Sequence, residues 1–338
     1  MIDQPLSVQN ITSLPRYFWH PSVVYVDDGL CGHKWWMAQS PYHPGVELKP
    51  YRARWELPCV HYSDDGLHWK AVQTNPIDDL TEQQIADEDY LSDPHLVYKD
   101  GALELYYRLT LLNDKQIVGN ETILLRKTSK DGINWSSREV VADLRKEEDI
   151  KIWGEQIISQ AVVWTGEKYL CWYVDGSGYK KNRGVRLTIS TDGKQWSKSQ
   201  RCVLIEYNDT PWHIDVQKYG KEYHMLVYGD TKVVLAHLVS NDGIEWKYQS
   251  VILRPAHKWY SFYSDRIYRS CLVKIDNWYY IFFSAATKER SYIGLMKSMD
   301  WEHFEDVGPI LNTLFFAELI RILSQKLIRK FMKVLQRR

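Results

Sequence analysis

The sequence predicts an all-β fold, a five-bladed β-propeller, followed by an amphipathic α-helix at the C-terminus. Three observations carry this: a recurring Ser-x-Asp-Gly-x-x-Trp box, a pair of apolar strands ahead of each box, and a switch to helical periodicity after Pro309. Composition agrees. The 15 Trp and 23 Tyr favour pleated strands, and helix formers are sparse until the last few dozen residues.

The boxes run Ser63 to Trp69, Ser129 to Trp135, Ser190 to Trp196 and Ser240 to Trp246. A degraded fifth runs Ser298 to Phe304, with Trp301 in the glycine place. Their closing aromatics fall 50 to 66 residues apart, enough for the four strands of a blade. Asp and Gly make the hairpin turn, Gly supplying positive φ and Asp bonding its own backbone. The boxes are therefore architectural, not catalytic.

Ahead of each box stand two strands separated by turn residues. They are Pro21 to Tyr25 with Trp35 to Met37, His95 to Tyr98 with Leu105 to Tyr107, Ala161 to Trp164 with Tyr169 to Trp172, Ile214 to Gln217 with His224 to Val227, and Cys271 to Lys274 with Tyr279 to Phe283. Five copies of both units in one order give a propeller over 1–310, with blades at about 17–75, 90–142, 155–204, 211–254 and 265–310, and a basic helix over 311–338.

In a propeller the innermost strands line a central channel, so residues just before them converge at one mouth, joined by the loops after the second strands. Entering the inner strands are His20, Asp93 with His95, Gln160 with Glu155 slightly upstream, His213 with Asp215, and Arg269. The second-strand loops add Tyr42, Glu56, Arg108, Asp175, Asp230 and Arg290. A ring of ionisable groups beside apolar runs needs partners, because unpaired burial is costly. Two explanations stand: a salt-bridge network that plugs the channel, or a site for a polar ligand. Trp19, Tyr42 and Trp212 are placed to stack on sugar faces.

The remaining classes are excluded in turn. Charge is balanced overall, but the tail from Leu314 carries seven Lys/Arg against one Glu, which leaves a mildly acidic body without a basic stripe and argues against nucleic acid. The five cysteines are widely spaced with no CxxC pair, so neither zinc nor redox chemistry is indicated. No metal ligand set has a defined spacing, and no cofactor is expected; Asp215 and Asp230 supply oxygen ligands without one.

The alternation of these boxes with the Asp93-Pro94-led inner strand resembles the furanosidase-type superfamily of five-bladed propellers, which includes glycoside hydrolase families 43, 32 and 68 and the mannoside phosphorylases of family 130. The resemblance spans about residues 17–310, and the run Trp36 to Tyr42 with Trp55 to Cys59 is similar to a divergent bacterial branch. It implies carboxylates from the first three blades flanking an anomeric carbon. Asp93 matches the second-blade position; His20-Pro21 stands where the first blade has Asp-Pro; Ser159 falls at the acid position, with Glu155 four residues earlier as its substitute. The implied catalytic set is Asp93, His20 and Glu155. Because two positions depart from the pattern, the resemblance extends to phosphorylase or glycosyl-transfer chemistry, in which His20, His213, Arg108, Arg269 and Arg290 hold an anionic group. The expected ligand is a saccharide or sugar phosphate. The alternatives are a non-catalytic carbohydrate-binding propeller and a protein-interaction scaffold.

After Pro309, Phe316, Leu319, Ile320, Leu323, Leu327, Phe331, Val334 and Leu335 form one apolar face, with Arg321, Lys326, Arg329, Lys330, Lys333, Arg337 and Arg338 around it. Such a helix suits an anionic membrane surface; packing on the body or on a second subunit is the competing use. The first residues show no charged-then-apolar leader, and no run of 18 apolar residues occurs. The expectation is a cytoplasmic protein, peripheral on the inner face of the cell membrane, with a role in polysaccharide biosynthesis.

Overall fold

The computed structural model describes residues 5–9, 18–41, 56–112, 121–176, 183–258, 260–288, 290–306 and 313–335. Five sheets, antiparallel but for one added parallel strand in two of them, stand around a channel. Blade 1 contains β1 (Ser7–Val8), β2 (Trp19–Leu30), β3 (His33–Ser40), β4 (Cys59–Ser63) and β5 (His68–Ala71). After helix α1 (Glu82–Ala86), blade 2 is β6 (Tyr90–Lys99), β7 (Ala102–Leu111), β8 (Glu121–Ser129) and β9 (Glu139–Asp143). Helix α2 (Glu147–Trp153) leads to blade 3: β10 (Ile157–Trp164), β11 (Tyr169–Asp175), β12 (Gly184–Ser190) and β13 (Gln200–Arg201). Blade 4 is β14 (Val203–Ile205), β15 (Pro211–Tyr219), β16 (Glu222–Gly229), β17 (Leu235–Ser240) and β18 (Glu245–Leu253). Blade 5 is β19 (Arg266–Ile275), β20 (Trp278–Ala286), β21 (Ser291–Ser298) and β22 (Glu305–Asp306), and helix α3 (Thr313–Leu335) follows.

The inner strands β2, β6, β10, β15 and β19 pack side by side around the channel and close the ring. The first few residues help the closure. Leu6 N–H donates to Ile293 O of blade 5 at 2.8 Å, while β1 adds in parallel to the outer edge of blade 1. β14 likewise adds in parallel to β18, so the chain passes from blade 3 to blade 4 at Cys202. The apolar core is five wedges, one between each pair of neighbouring blades. Cys59, Cys171, Cys202 and Cys271 are buried in these layers as small hydrophobes.

The boxes join blades to one another. In each, the Ser hydroxyl accepts from the Gly N–H, and the Asp Oδ1 accepts the next two backbone N–H groups, as at Asp131 with Ile133 and Asn134 (2.8 and 2.7 Å). The glycine then lies against a neighbouring aromatic: Gly132 of blade 2 meets the Trp36 ring of blade 1, and Gly243 O of blade 4 accepts from Trp172 Nε1 of blade 3 at 2.7 Å. In the fifth box Trp301 adopts φ +65° in the glycine place. Its indole stacks on His237 of blade 4 at 3.6 Å, so the box itself supplies the aromatic that the earlier blades provide from their second strands.

The first two turns of α3 dock on blade 5. Phe315 and Leu319 enter the wedge between blades 4 and 5, and buried Glu318 accepts from Thr287 Oγ1 (2.7 Å) and the Tyr292 hydroxyl. Phe316, Ile320, Leu323, Leu327, Ile328 and Met332 remain exposed. Of the apolar face read from the sequence, Leu319 packs on the body while Phe316, Ile320, Leu323 and Leu327 do not. No described helix is long and apolar enough to cross a membrane.

Candidate functional site at the channel mouth

Each inner strand carries a register irregularity at the same end: between Trp19 and Ser22, Ser92 and His95, Ile157 and Gln160, Pro211 and His213, and Ile267 and Ser270. Bulges bend a strand and re-aim its side chains. Here they turn five sets of polar residues into one mouth. His20 and Asp93 have φ of +53° and +51°, left-handed conformations that cost about 1–3 kcal/mol each for residues other than glycine. Each precedes a proline, Pro21 and Pro94, which restricts its backbone further.

The mouth holds a cavity of about 140 Å³ lined by His20, Glu56, Tyr90, Asp93, Arg108, Ile158, Trp212, His213 and Tyr268. Asp93 is its hub. Arg108 Nε donates to Oδ2 at 3.1 Å, with Nη2 also on Oδ2; Arg269 Nη1 donates to Oδ1 at 3.1 Å; His213 Nδ1 lies 3.2 Å from Oδ1. Burial opposes its charge, but Arg108, then His213 and His20, outweigh burial and hold the carboxyl well below the usual carboxylate range. Burial, reinforced by the Asp93 charge, pushes Glu56 well above that range. Burial lowers the pKa of both imidazoles, His20 and His213, against the pull of Asp93. His20 Nδ1 lies 3.0 Å from Ser40 Oγ and 3.5 Å from Glu56 Oε1.

Beneath this tier the channel is plugged by hydrogen bonds. Gln160 Nε2 donates to Asp93 O at 2.6 Å, and Arg269 Nη2 donates to Gln160 O at 3.0 Å. His95 lies deeper, with Nε2 2.9 Å from Val162 O and Nδ1 3.9 Å from Asp215. Asp215 accepts from Leu272 N–H at 2.9 Å, and burial pushes it up to about 7. Both sequence-based explanations thus apply at different depths: a network fills the channel, and a cavity stays open above it.

Of the residues expected at this site, the structure brings His20, Glu56, Asp93, Arg108, Trp212 and His213 together around the cavity, with Gln160 and Arg269 directly below and His95 and Asp215 deeper. It does not bring the others there. The Glu155 side chain is exposed, and the residue is not among the lining. Trp19 is fully buried and stacks on Tyr268 at 5.2 Å, so that face is not open to a ligand. Asp175 pairs with Arg186 at 3.3 Å. Asp230 pairs with Arg183 at 3.1 Å, whose guanidinium lies 4.1 Å over the Trp212 ring at the cavity edge. Arg290 reaches Glu318 of α3 at 4.0 Å, at the docked helix. Tyr42 lies outside the described residues. Sequence reasoning missed Tyr90, Ile158 and Tyr268. A signal for Tyr268 was present: it precedes Arg269 as Trp19 precedes His20 and Trp212 precedes His213.

Three groups could hold a metal ion: one ligand atom each of His20, Asp93 and His213 lie within 4.8 Å of one another. Fold and cavity together define a five-bladed propeller with a polar site at one channel mouth. No family model and no curated protein sequence matches the chain. Solved structures do. An N-acetylgalactosamine deacetylase from F. plautii, in complex with blood group B trisaccharide, superposes with a TM-score of 0.67 at 20% identity, over 88% of this chain and 93% of that one. A family 43 β-xylosidase/α-arabinofuranosidase from a compost metagenome, in complex with xylotriose, gives 0.60 at 14% identity over 92% and 99%. A family 43 enzyme from Xanthomonas citri, complexed with xylose, gives 0.60 at 12% over 90% and 93%. The chain thus shares the five-bladed fold of these glycoside hydrolase family 43 structures, as the resemblance implied.

Proposed function

We propose that the protein is a glycan-active enzyme whose reaction takes place in the cavity at the channel mouth, and that α3 holds it on an anionic membrane surface. The observation that carries the enzymatic reading is the opposite perturbation of two acids in one cavity: burial, reinforced by the Asp93 charge, drives Glu56 well above the usual carboxylate range, while Arg108, His213 and His20 hold Asp93 well below it. Such a divergence is how one site obtains a proton donor and a fixed negative charge at neutral pH. In this reading Glu56 carries the proton, a part expected, from the sequence, of His20 or Glu155. Asp93, with both oxygens engaged by arginines, stabilises positive charge and does not attack. Trp212 and Tyr268 form the aromatic wall against which a sugar ring packs. Structures of like fold act on saccharides by more than one chemistry, a xylosidase and a deacetylase among them, and Glu56 serves a proton transfer in either.

The test is a panel of oligosaccharides and sugar phosphates, followed for binding and product release, with wild type and Glu56→Gln. Turnover that falls by about 100-fold or more in Glu56→Gln supports the reading. Binding without turnover in the wild type makes the protein a lectin-like propeller, and no binding at all makes it a scaffold.

For the membrane, the support is the exposed apolar row Phe316, Ile320, Leu323 and Leu327 beside exposed Arg321, Lys326 and Arg329. In this reading the reaction takes place at a membrane surface, in the synthesis or trimming of a lipid-linked polysaccharide. Co-sedimentation with vesicles containing phosphatidylserine, lost on deleting residues 314–338 and absent with purely zwitterionic vesicles, is the expected result; equal binding to both vesicle types contradicts it.

A further inference from the structure

We propose that the protein sits on an anionic bilayer with its channel mouth facing the lipid and its box turns facing water, so that the saccharide entering the cavity is one carried by a lipid of that same membrane. This rests on the membrane reading above and adds to it which end of the ring meets the surface.

The helix is rooted at the end that bears the cavity. Buried Glu318 accepts from Thr287 and Tyr292, at the connection between β20 and β21. Ala286, just before that connection, pairs with Arg266 at the entry of inner strand β19. Phe315 packs on Phe262, which lies four residues ahead of the same entry, with ring centroids 6.1 Å apart. Phe315 and Leu319 also share one apolar cluster with Trp212 and Tyr268, which wall the cavity. The root of α3 and the wall of the site are therefore one packed unit.

The exposed row starts at this root. Phe316 and Ile320 lie about 100° around the helix axis from the docked pair Phe315 and Leu319, and Leu323 and Leu327 continue their stripe. Docking on blade 5 therefore leaves the row uncovered. A surface that covers it meets the body first at the helix root, beside the mouth.

Charge decides which way the ring then turns. The far end is made of five hairpin turns (26–33, 99–102, 165–168, 219–222 and 275–278) and the five boxes. Together these ten turns hold fourteen Asp/Glu against five Lys. Lys34, Lys218, Lys274 and Lys297, on the strands behind the tips, lie over aromatic rings. At the other end, the two segments on which α3 docks, 254–266 and 287–290, carry five Lys/Arg against two acids. Among them Arg254, Lys258 and Lys288 are exposed. The acids of 72–89 lie at the mouth end too, but between blades 1 and 2, across the ring from the wedge of blades 4 and 5. The ring thus tilts toward the surface on its blade 5 side. Inner strand β19 has 10 residues, so the two ends are about 30 Å apart, well beyond the ~8 Å over which an anionic surface is felt in physiological salt. The acidic far end is repelled only if it is the end that approaches.

A mouth turned to the lipid favours a glycan whose other end is anchored in that leaflet. Such a ligand and the docked protein share one surface, which raises the effective concentration of one for the other. A glycan arriving from bulk water has no such advantage.

The experiment uses the full chain. Cys31, in the hairpin turn of blade 1, is the one exposed cysteine and carries a fluorophore at the far end. Cys31→Ser/Lys288→Cys carries the same fluorophore beside the mouth. On vesicles of phosphatidylserine and phosphatidylcholine containing nitroxide-labelled lipid, the label at position 288 should be quenched and the label at position 31 should not. Quenching at position 31, or equal quenching at both, overturns the orientation and leaves the membrane reading standing. Failure of both labelled proteins to sediment with the vesicles overturns the two together. Lys258→Ala and Lys288→Ala should each weaken vesicle binding about 5-fold, while Lys130→Ala and Lys194→Ala in the box turns leave it unchanged; the opposite pattern overturns the orientation. Oligosaccharides coupled to a lipid of the same vesicles should be bound at least about 10-fold more tightly than the free forms, an advantage lost in Leu323→Ser/Leu327→Ser. Equal affinity for the two forms overturns the substrate assignment. Binding of neither form, with quenching at position 288 intact, leaves the orientation standing and overturns the glycan reading.

Discussion

Replacing Asp93 by Asn tests whether the mouth is built around one charge. Asp93 and Arg269 are each 1% exposed and Arg108 7%, so the ion cluster is out of water. Asn keeps the shape and one acceptor but leaves two buried guanidiniums without a counter-charge. Removing one partner of a buried ion pair costs about 3–5 kcal/mol. At about 2–4 °C per kcal/mol for a large domain, the thermal midpoint should fall by about 6 to 20 °C. The assay is urea and thermal unfolding followed by far-ultraviolet circular dichroism. Arg269→Met in the Asp93→Asn background should recover part of the loss, because it removes one stranded charge; a coupling of about 1–3 kcal/mol in the double-mutant cycle is expected. Glu56→Gln is the internal contrast. Burial opposes the charge of Glu56, so a neutral amide of the same size should change stability by less than about 1 kcal/mol. A loss under about 1 kcal/mol for Asp93→Asn, or equal losses for the two acids, would refute the electrostatic account. The contrast also sets how activity data are read: inactivity of Asp93→Asn mixes folding with chemistry, and inactivity of Glu56→Gln does not.

Three further predictions concern the frame around the site. Gly132→Ala forces a side chain into φ +73° and places its Cβ 2.1 Å from the Trp36 ring, which should cost about 2–5 kcal/mol in urea unfolding; Gly101→Ala, at φ +81° with open space, should cost only the backbone share of about 1–2 kcal/mol, and equal losses would remove the inter-blade role of the box. Burial holds His224 down at about 4 and His237 at about 3, so both stay neutral in the folded protein while the unfolded chain protonates near 6.5; their contribution to stability is intact above about pH 6.5 and is lost as the pH falls toward 4. The double substitution His224→Gln/His237→Gln should therefore flatten the dependence of the urea midpoint on pH across that window, and an unchanged slope contradicts the assignment. Phe315→Ala empties a side chain that is 1% exposed and packs on Tyr292 at 5.5 Å, so α3 should loosen from blade 5 and become cleavable by protease between 306 and 320 well before the propeller unfolds; cleavage no faster than in wild type would show that other contacts hold the helix.

What the sequence by itself determined was the frame. Ser-x-Asp-Gly-x-x-Trp is legible because its hydrogen bonds join residues two or three apart, so the same local chemistry recurs wherever the box does. The count of five, the inner strands and the amphipathic tail follow from periodicity of the same local kind. Alignment of the repeats also placed His20, Asp93, Arg108 and His213 at one mouth, because equivalent positions of a ring must converge. What each does there was decided only by tertiary structure. Asp93 is an anchored hub because Arg269 arrives from 176 residues away, and no spacing in the chain encodes that meeting. Glu56 carries a raised pKa, and Glu155 faces outward, because burial is a property of the assembled ring and not of either residue's neighbours in sequence. The same holds at the tail: periodicity gave α3 an apolar face, but only the wedge between blades 4 and 5 determined that Phe315, Glu318 and Leu319 are covered while Phe316, Ile320 and Leu323 stay exposed.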